Sequence, residues 1–141
     1  MDNNLFPVRL QLRIDWSDLD YFKHVNNVSF FRYIQSSRVN YWNQVGLTKS
    51  HMNTDIGPML VSCKCDFKQP LFYPGEVMLL ARVEFIKNTS FSISHRLLNF
   101  QNEIVAEALD VMVMYDFNKN EKILFPDWLK EKIKELENKK F

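Results

Sequence analysis

The period of the apolar residues changes once along this chain, and that change limits the folds open to it. Between residues 28 and 45, Phe30, Ile34, Ser37, Tyr41 and Val45 recur at intervals of four, three, four and four, the spacing of one helix face. Phe31, Tyr33, Val39 and Trp42 carry apolar surface around much of the rest, so this helix is expected to be buried on most sides. Gly46 then stands where a left-handed C-cap is expected. From Pro58 onward the period is two: Met59, Val61, Cys63, Cys65 and Phe67 alternate with Leu60, Ser62, Lys64, Asp66 and Lys68. Pro74-Gly75 marks a turn, and strand-like runs follow at 76–87, 90–98 and 103–116. The links Lys87-Asn88-Thr89 and Phe100-Gln101-Asn102 are short enough only for antiparallel neighbours. Before the helix, Val8, Leu10, Leu12, Ile14 and Trp16 alternate with Arg9, Gln11, Arg13 and Asp15, a strand over 8–16. Pro126-Asp127 opens a last helix, whose Leu129, Ile133 and Leu136 form a narrow stripe among lysines and glutamates. One strand, a long helix, four antiparallel strands and a short helix make an α+β chain. An antiparallel sheet curled around the long helix accounts for a helix apolar on so many sides, in a single domain over 1–141.

Composition narrows the function classes. Of 141 residues 46% are hydrophobic and 25% charged, which suits a packed core rather than a disordered chain. A formal charge of +1 gives no global pull toward nucleic acid or an anionic membrane. There is no apolar run of membrane-spanning length, and Met1-Asp2-Asn3-Asn4 lacks the basic and apolar regions of a signal peptide, so a cytoplasmic location is expected. Cys63 and Cys65, two apart on a strand, read as structural thiols rather than as a redox or metal motif. His51 and His95 have no companion ligands at useful spacing, so neither a metal nor a cofactor is expected, and His95 reads as a hydrogen-bonded core histidine.

The chemistry is concentrated between the first strand and the helix, in Asp15-Trp16-Ser17-Asp18-Leu19-Asp20-Tyr21-Phe22-Lys23-His24-Val25-Asn26-Asn27. Asn26 or Asn27 is suited to capping the helix, and a helix start offers unpaired N–H donors with a partial positive charge. A carboxylate and a histidine beside such donors are the parts needed to attack a polarised carbonyl. Each residue also has a plainer reading. Asp20 can cap a turn, Asp18 can hold the loop through backbone N–H groups, and His24 can simply pack.

Taken together, Asp18-Leu19-Asp20, His24-Val25-Asn26-Asn27, the aromatic helix with Arg38, the Gly46-Leu47 exit, Gly75-Glu76 and Pro126 resemble the hotdog-fold acyl-CoA thioesterases. The group named for 4-hydroxybenzoyl-CoA thioesterase is the most similar, and nearly the whole chain is covered. The resemblance implies a hotdog fold, with the sheet wrapped around the long helix and a short C-terminal helix added. It also implies a homodimer or homotetramer with active sites between subunits, and hydrolysis of an acyl-CoA to free acid and coenzyme A. Catalytic roles then fall on Asp20, as base or nucleophile, and on His24. Oxyanion donors fall on the backbone N–H groups of Val25, Asn26, Asn27 and Val28. Phe22 departs from the Asn of the carrier-protein thioesterases, and Lys23 from a small residue common among relatives. Coenzyme A carries phosphates, for which Arg82, Lys87 and Arg96 are candidates. An acyl-carrier-protein thioesterase and a non-catalytic acyl-CoA-binding protein are the alternatives.

Overall fold

Alternation in the first strand stops earlier than expected. In the computed structural model, which describes residues 3–141, β1 spans Val8–Arg13 and a single 3-10 turn follows at Trp16–Asp18. The Asp18 carboxylate accepts the Asp15 N–H at 2.9 Å and holds that turn. Trp16, expected on the core face of the strand, is 73% exposed as a result.

The long helix α1 (Asn27–Gln44) buries Phe30, Ile34, Ser37 and Tyr41, the expected stripe, together with Ser29, Tyr33 and Arg38. Its opposite side is not buried: Val28 is 60% and Val39 39% exposed within the chain. Burial on most sides is therefore corrected to burial on one, because the sheet curls over a single face. Gly46 takes φ +80°, ends α1 as expected and at once caps α2 (Leu47–Thr54), whose Ser50 N–H donates to the Gly46 carbonyl at 3.0 Å. A side chain there would be strained. The helix α2 was not expected, since of its residues only Leu47 is buried and no apolar period announces it.

The sheet contains β2 (Ile56–Phe67), β3 (Glu76–Ile86), β4 (Ser90–Leu98), β5 (Ile104–Asp116) and the two-residue β6 (Glu121–Lys122), which pairs with β5. Its order is β1-β3-β4-β5-β2, with every pairing antiparallel. β2 thus lies at one edge, with no strand on its outer side among the described residues. The even alternation expected in β2 is broken by a bulge between Leu60 and Ser62. Before it, Pro58 and Leu60 oppose the core residues Met114 and Met112; after it, Cys63, Cys65 and Phe67 oppose Asp110, Ala108 and Ala106. Residues opposed across strands share a face, and the extra residue shifts the phase by one.

Two apolar clusters fill the space between helix and sheet. Near the start of α1, Phe30, Tyr33 and Ile34 pack on Val77, Leu79, Leu97 and Val105. Near its end, Tyr41 and Val45 pack on Val83, Phe91, Met112 and Met114, closed by Leu129 and Ile133 of α3 (Asp127–Glu137). At about 1.5–3 kcal/mol for each large apolar side chain removed from water, these clusters hold the helix in the sheet. The end of α3 also covers a strand edge. Beyond the last β1 partner, Ala81, the Val83 N–H donates to the Glu137 carboxylate at 2.6 Å and the Lys139 ammonium donates to the Val83 carbonyl at 3.2 Å. Glu137 also accepts the Tyr41 hydroxyl. Burial raises the Glu137 carboxyl above its usual range, and burial followed by the nearby carboxylate raises the Tyr41 hydroxyl.

Candidate active site at the start of the long helix

The loop from β1 into α1 is organised by Asp18, which is buried. Its carboxylate accepts the Tyr33 hydroxyl at 2.8 Å, the Asp15 N–H, and the Arg32 guanidinium at 3.2 Å. Its carbonyl accepts the Ser29 hydroxyl at 3.1 Å and the Asn26 N–H at 3.0 Å. Burial first, then the hydrogen bond to Asp18, raises the Tyr33 hydroxyl above its usual range. Asp18 therefore holds the loop, as expected. Asn26 is the capping residue, its side-chain oxygen accepting the Ser29 N–H at 2.8 Å, while Asn27 is the first residue of the helix.

Asp20 lies at the neck of a tight loop that returns at His24. Its N–H donates to the His24 carbonyl at 2.7 Å, and its carbonyl accepts the Lys23 N–H at 3.1 Å. One carboxylate oxygen, Oδ1, accepts the N–H groups of Phe22 and His24 at 2.8 and 3.2 Å. The other, Oδ2, has no hydrogen-bond partner among the described residues. The turn-capping role weighed for Asp20 is thus real, and it uses only half of the carboxylate. Asp20 lines a cleft of about 370 Å³ with His24, Val25, Asn27, Phe30, Phe67, Lys68, Gln69 and Pro70. On its other side it lines a cavity of about 750 Å³ with Trp16, Leu19, Tyr21, Lys23 and Tyr73. The His24 ring meets Phe72 edge-on at 5.1 Å.

The four backbone donors expected over Val25–Val28 divide into two pairs. The Val25 N–H donates to the Leu71 carbonyl at 2.9 Å and the Asn26 N–H to Asp18, so these two are corrected: neither is open to a ligand. The N–H groups of Asn27 and Val28 have no acceptor among the described residues, as the geometry of a first helical turn requires.

The candidate phosphate contacts are not brought to this cleft within one chain. Arg82 lies on the sheet face turned away from α1, paired with Glu84 at 2.8 Å and set over the Phe6 ring at 4.5 Å. Arg96 also lies over that ring, at 4.6 Å, and donates to the Asn3 side chain. Lys87 occupies the β3–β4 turn near Phe125, at the end of the sheet where α1 finishes. Lys68 is the basic side chain that does reach the cleft, and sequence reasoning missed it. No local pattern marks it, since its place depends on where β2 ends beside the helix start.

A second polar cluster lies under the middle of α1. The Ser37 hydroxyl and His95 Nδ1 share a hydrogen bond at 2.9 Å, His95 Nε2–H donates to Asp110 at 2.7 Å, and Arg38 donates to both Asp110 oxygens at 2.9 and 3.2 Å. Ser37, His95 and Asp110 are at most 1% exposed. In a hydrolytic triad the acid holds Nδ1 and the serine faces Nε2; here the connections are reversed and no substrate reaches the hydroxyl. His95 is the satisfied core histidine that its position suggests. Burial works to raise the Asp110 carboxyl, but hydrogen bonds from His95 and Arg38 outweigh it and hold the pKa at about 2. Burial, then Asp110, pushes the Cys63 thiol up to about 12; burial, then nearby carboxylates, pushes Cys65 up to about 11. Both thiols are free and half-buried, and neither is poised as a nucleophile. Among the described residues, no group of three His, Cys, Asp or Glu side chains is placed to hold a metal ion.

Comparison with known proteins places this arrangement. The sequence matches the thioesterase-like superfamily over residues 14–133, from the end of the β1 alternation into α3. A thioesterase from Thermus thermophilus, solved with coenzyme A and Zn, superimposes with a TM-score of 0.85 at 24% identity, over 96% of this chain and 98% of that one. A DHNA-CoA thioesterase from Staphylococcus aureus gives a TM-score of 0.79 at 16% identity, over 92% of each chain. The uncharacterized protein YsmA of Bacillus subtilis (strain 168) is 21% identical over 121 residues, 86% of this chain and 81% of its own length. With the matched family spanning the loop, the long helix and every strand of the sheet but β1, this chain belongs to the thioesterase-like superfamily and is a thioester hydrolase of the hotdog fold.

Proposed function

We propose that the chain hydrolyses acyl-CoA thioesters in the cleft beside Asp20, giving free acid and coenzyme A. The observation that carries this reading is that Asp20, with its unanchored carboxylate oxygen Oδ2, and Asn27, with an unpaired helix N–H, line one cleft, the unpaired Val28 N–H following next in the helix. The thioester carbonyl oxygen accepts those N–H groups, which stabilise the negative charge that develops on it. Such a donor is worth about 3–4 kcal/mol in a comparable hydrolase. Asp20 then either takes a proton from water as the water attacks, or attacks the carbonyl itself to give a mixed anhydride that water cleaves. In both routes the C–S bond breaks and the thiolate leaves. A thiol of pKa about 8.5 is a good enough leaving group to need no strong acid. His24, at the wall of the cleft, orients the substrate or the water.

The coenzyme A bound by the Thermus thermophilus thioesterase and the CoA thioester named for the Staphylococcus aureus enzyme support CoA as the thiol half. In this chain Lys68, which lines the cleft, takes the place considered for Arg82 and Lys87. The open edge of β2 supports a homodimer, because an unpaired edge invites a second strand. Among the described residues no helix is long and apolar enough to cross a membrane, which suits the proposed cytoplasmic location.

The test is the initial rate of free-thiol release from acyl-CoA and from the same acyl group on a carrier protein. Faster turnover of acyl-CoA is expected. Faster turnover of the carrier-protein thioester would reassign the substrate, and binding of acyl-CoA without thiol release would make the chain a binding protein.

A further inference from the structure

Five residues other than glycine take a left-handed backbone among the described residues, and four of them are Asp55, Asn102, Asn120 and Asn138. Asparagine and aspartate tolerate that region because their short polar side chains bond locally. The fifth is Lys23, at φ 69°, and a long ammonium side chain gains nothing of that kind. The loop explains the backbone but not the residue. Asp20 and His24 close a hairpin loop of three residues just beyond the bridge between Leu19 and Val25. In it the Lys23 N–H donates to the Asp20 carbonyl and the Asp20 N–H to the His24 carbonyl. The last position of such a loop is left-handed, and glycine fills it with the least strain. Lysine there is strained, and strain of this kind collects where a side chain is put to use. That use is not internal to the fold: the Lys23 side chain is exposed and forms no ion pair or hydrogen bond among the described residues.

Lys23 instead lines the cavity of about 750 Å³ that Asp20 borders outside the cleft. Trp16, Leu19 and Tyr73 give this cavity apolar wall, and the charged groups lining it are Asp20 and Lys23. At about 30 Å³ for a water-sized group, it has room for roughly twenty-five non-hydrogen atoms. The two substituents of a thioester carbonyl point away from each other. A carbonyl held at Asp20 therefore sends one half of the substrate along the cleft and the other into this cavity. Lys68 lines the cleft and suits the phosphate-bearing thiol half, which leaves the cavity to the acyl half. An acyl group that ends in a methyl makes no use of an ammonium. One that ends in a carboxylate is repelled by Asp20 and needs a cation to offset that repulsion, which Lys23 supplies from three residues along the loop.

We propose that Lys23 is a specificity-determining residue that selects acyl groups carrying a distal carboxylate, the mono-CoA thioesters of dicarboxylic acids. This rests on the hydrolase reading above and names the substrate class of that same site. Trp16, Leu19 and Tyr73 cover the apolar body of the acyl group, and the Lys23 ammonium pairs with the carboxylate at its end.

Paired substrates of equal chain length separate charge from size. The ratio of kcat/KM for adipoyl-CoA to that for hexanoyl-CoA, and for suberoyl-CoA to octanoyl-CoA, is measured in the wild type, Lys23→Arg, Lys23→Gln and Lys23→Gly. The wild type is expected to favour the charged member of at least one pair. Lys23→Gln and Lys23→Gly should lower that ratio roughly fivefold or more, the scale of one partly exposed charge pair, while Lys23→Arg keeps it. Lys23→Gly also relieves the left-handed strain and should melt a few degrees higher, so its lost selectivity is not a loss of structure. The same acyl groups on pantetheine, which lacks the phosphates, identify the anion. A ratio that still falls there supports the distal carboxylate. A loss in Lys23→Gln that is equal within each pair and vanishes on pantetheine assigns Lys23 to a coenzyme A phosphate, and overturns the proposal. So does a wild type that favours the uncharged member of both pairs, or ratios unchanged in both Lys23→Gln and Lys23→Gly. These outcomes leave the hydrolase reading intact, whereas a wild type that releases no thiol from any acyl-CoA overturns both.

Discussion

Two polar clusters sit on α1, one at its entrance and one at its middle, and they are completed to different degrees. At the middle, Asp110 is bonded through both oxygens and His95 through both ring nitrogens, with almost no exposure. At the entrance, Asp18 is completed in much the same way, whereas Asp20 two residues later is tied through one oxygen and stays exposed. The residue types alone would favour the buried middle cluster, since serine, histidine and aspartate look more like a catalytic set than two aspartates in a loop. What separates them is remaining capacity. A saturated buried network fixes the helix to the sheet, while a half-anchored carboxylate beside open N–H donors still has bonds to offer.

Removing one member of each cluster should break the comparison in opposite ways. Asp110→Ala leaves the buried Arg38 without its counter-ion, and breaking such a pair costs about 3–5 kcal/mol. Urea unfolding should show that loss, and a variant as stable as the wild type would mean the network holds nothing. Asp20→Asn keeps Oδ1 for the Phe22 and His24 amides but removes basicity and nucleophilicity. Thioester hydrolysis should then fall about two orders of magnitude or more, with a melting curve close to that of the wild type. Asp18→Asn, in contrast, should show its effect mainly in stability. Full activity in the Asp20 variant would move the catalytic assignment, with His24 next in line.

Acid sharpens the same contrast. Asp110 titrates at about 2 in the folded chain against about 3.9 when unfolded. Its depressed pKa stabilises the fold above about pH 4, and that stability, about 2–3 kcal/mol, is lost as pH falls toward 2. The Asp110→Ala variant should lack this part of the acid dependence in urea titrations run at successive pH values. The smallest effect belongs to the cap: Asn26→Ala should cost about 0.5–2 kcal/mol and slow turnover by loosening the Asn27 and Val28 donors. An unchanged melting temperature together with an unchanged rate would rule that link out.

The long helix and the main strands were legible because their apolar residues repeat with the periods that packing demands. Phe30, Ile34, Ser37 and Tyr41 are buried as that spacing requires. The helix α2 was not legible, since its polar residues carry no period and only Leu47 reaches the core. The bulge in β2 was hidden too, because Val61 fits an unbroken alternation by composition. Asp110 did leave a signal that went unread. It falls in phase with Ala106, Ala108, Met112 and Met114, and a carboxylate on such a face needs a buried partner, which Arg38 supplies. In the site, the loop and the helix cap were readable from Asp18, Asp20 and Asn26. Lys68 and Phe67 were not, because their contribution depends on where a strand ends in space.

The grip of Glu137 and Lys139 on Val83 has a consequence for how this chain tolerates alteration at its end. A carboxylate takes the amide hydrogen and an ammonium supplies the proton to the carbonyl, so two side chains imitate the peptide group of a missing neighbour strand. The final residues therefore act as a stopper on the β3 edge. Cutting the chain just before Glu137 would unmask one strand segment to the solvent, and with it a template for unwanted stacking between copies.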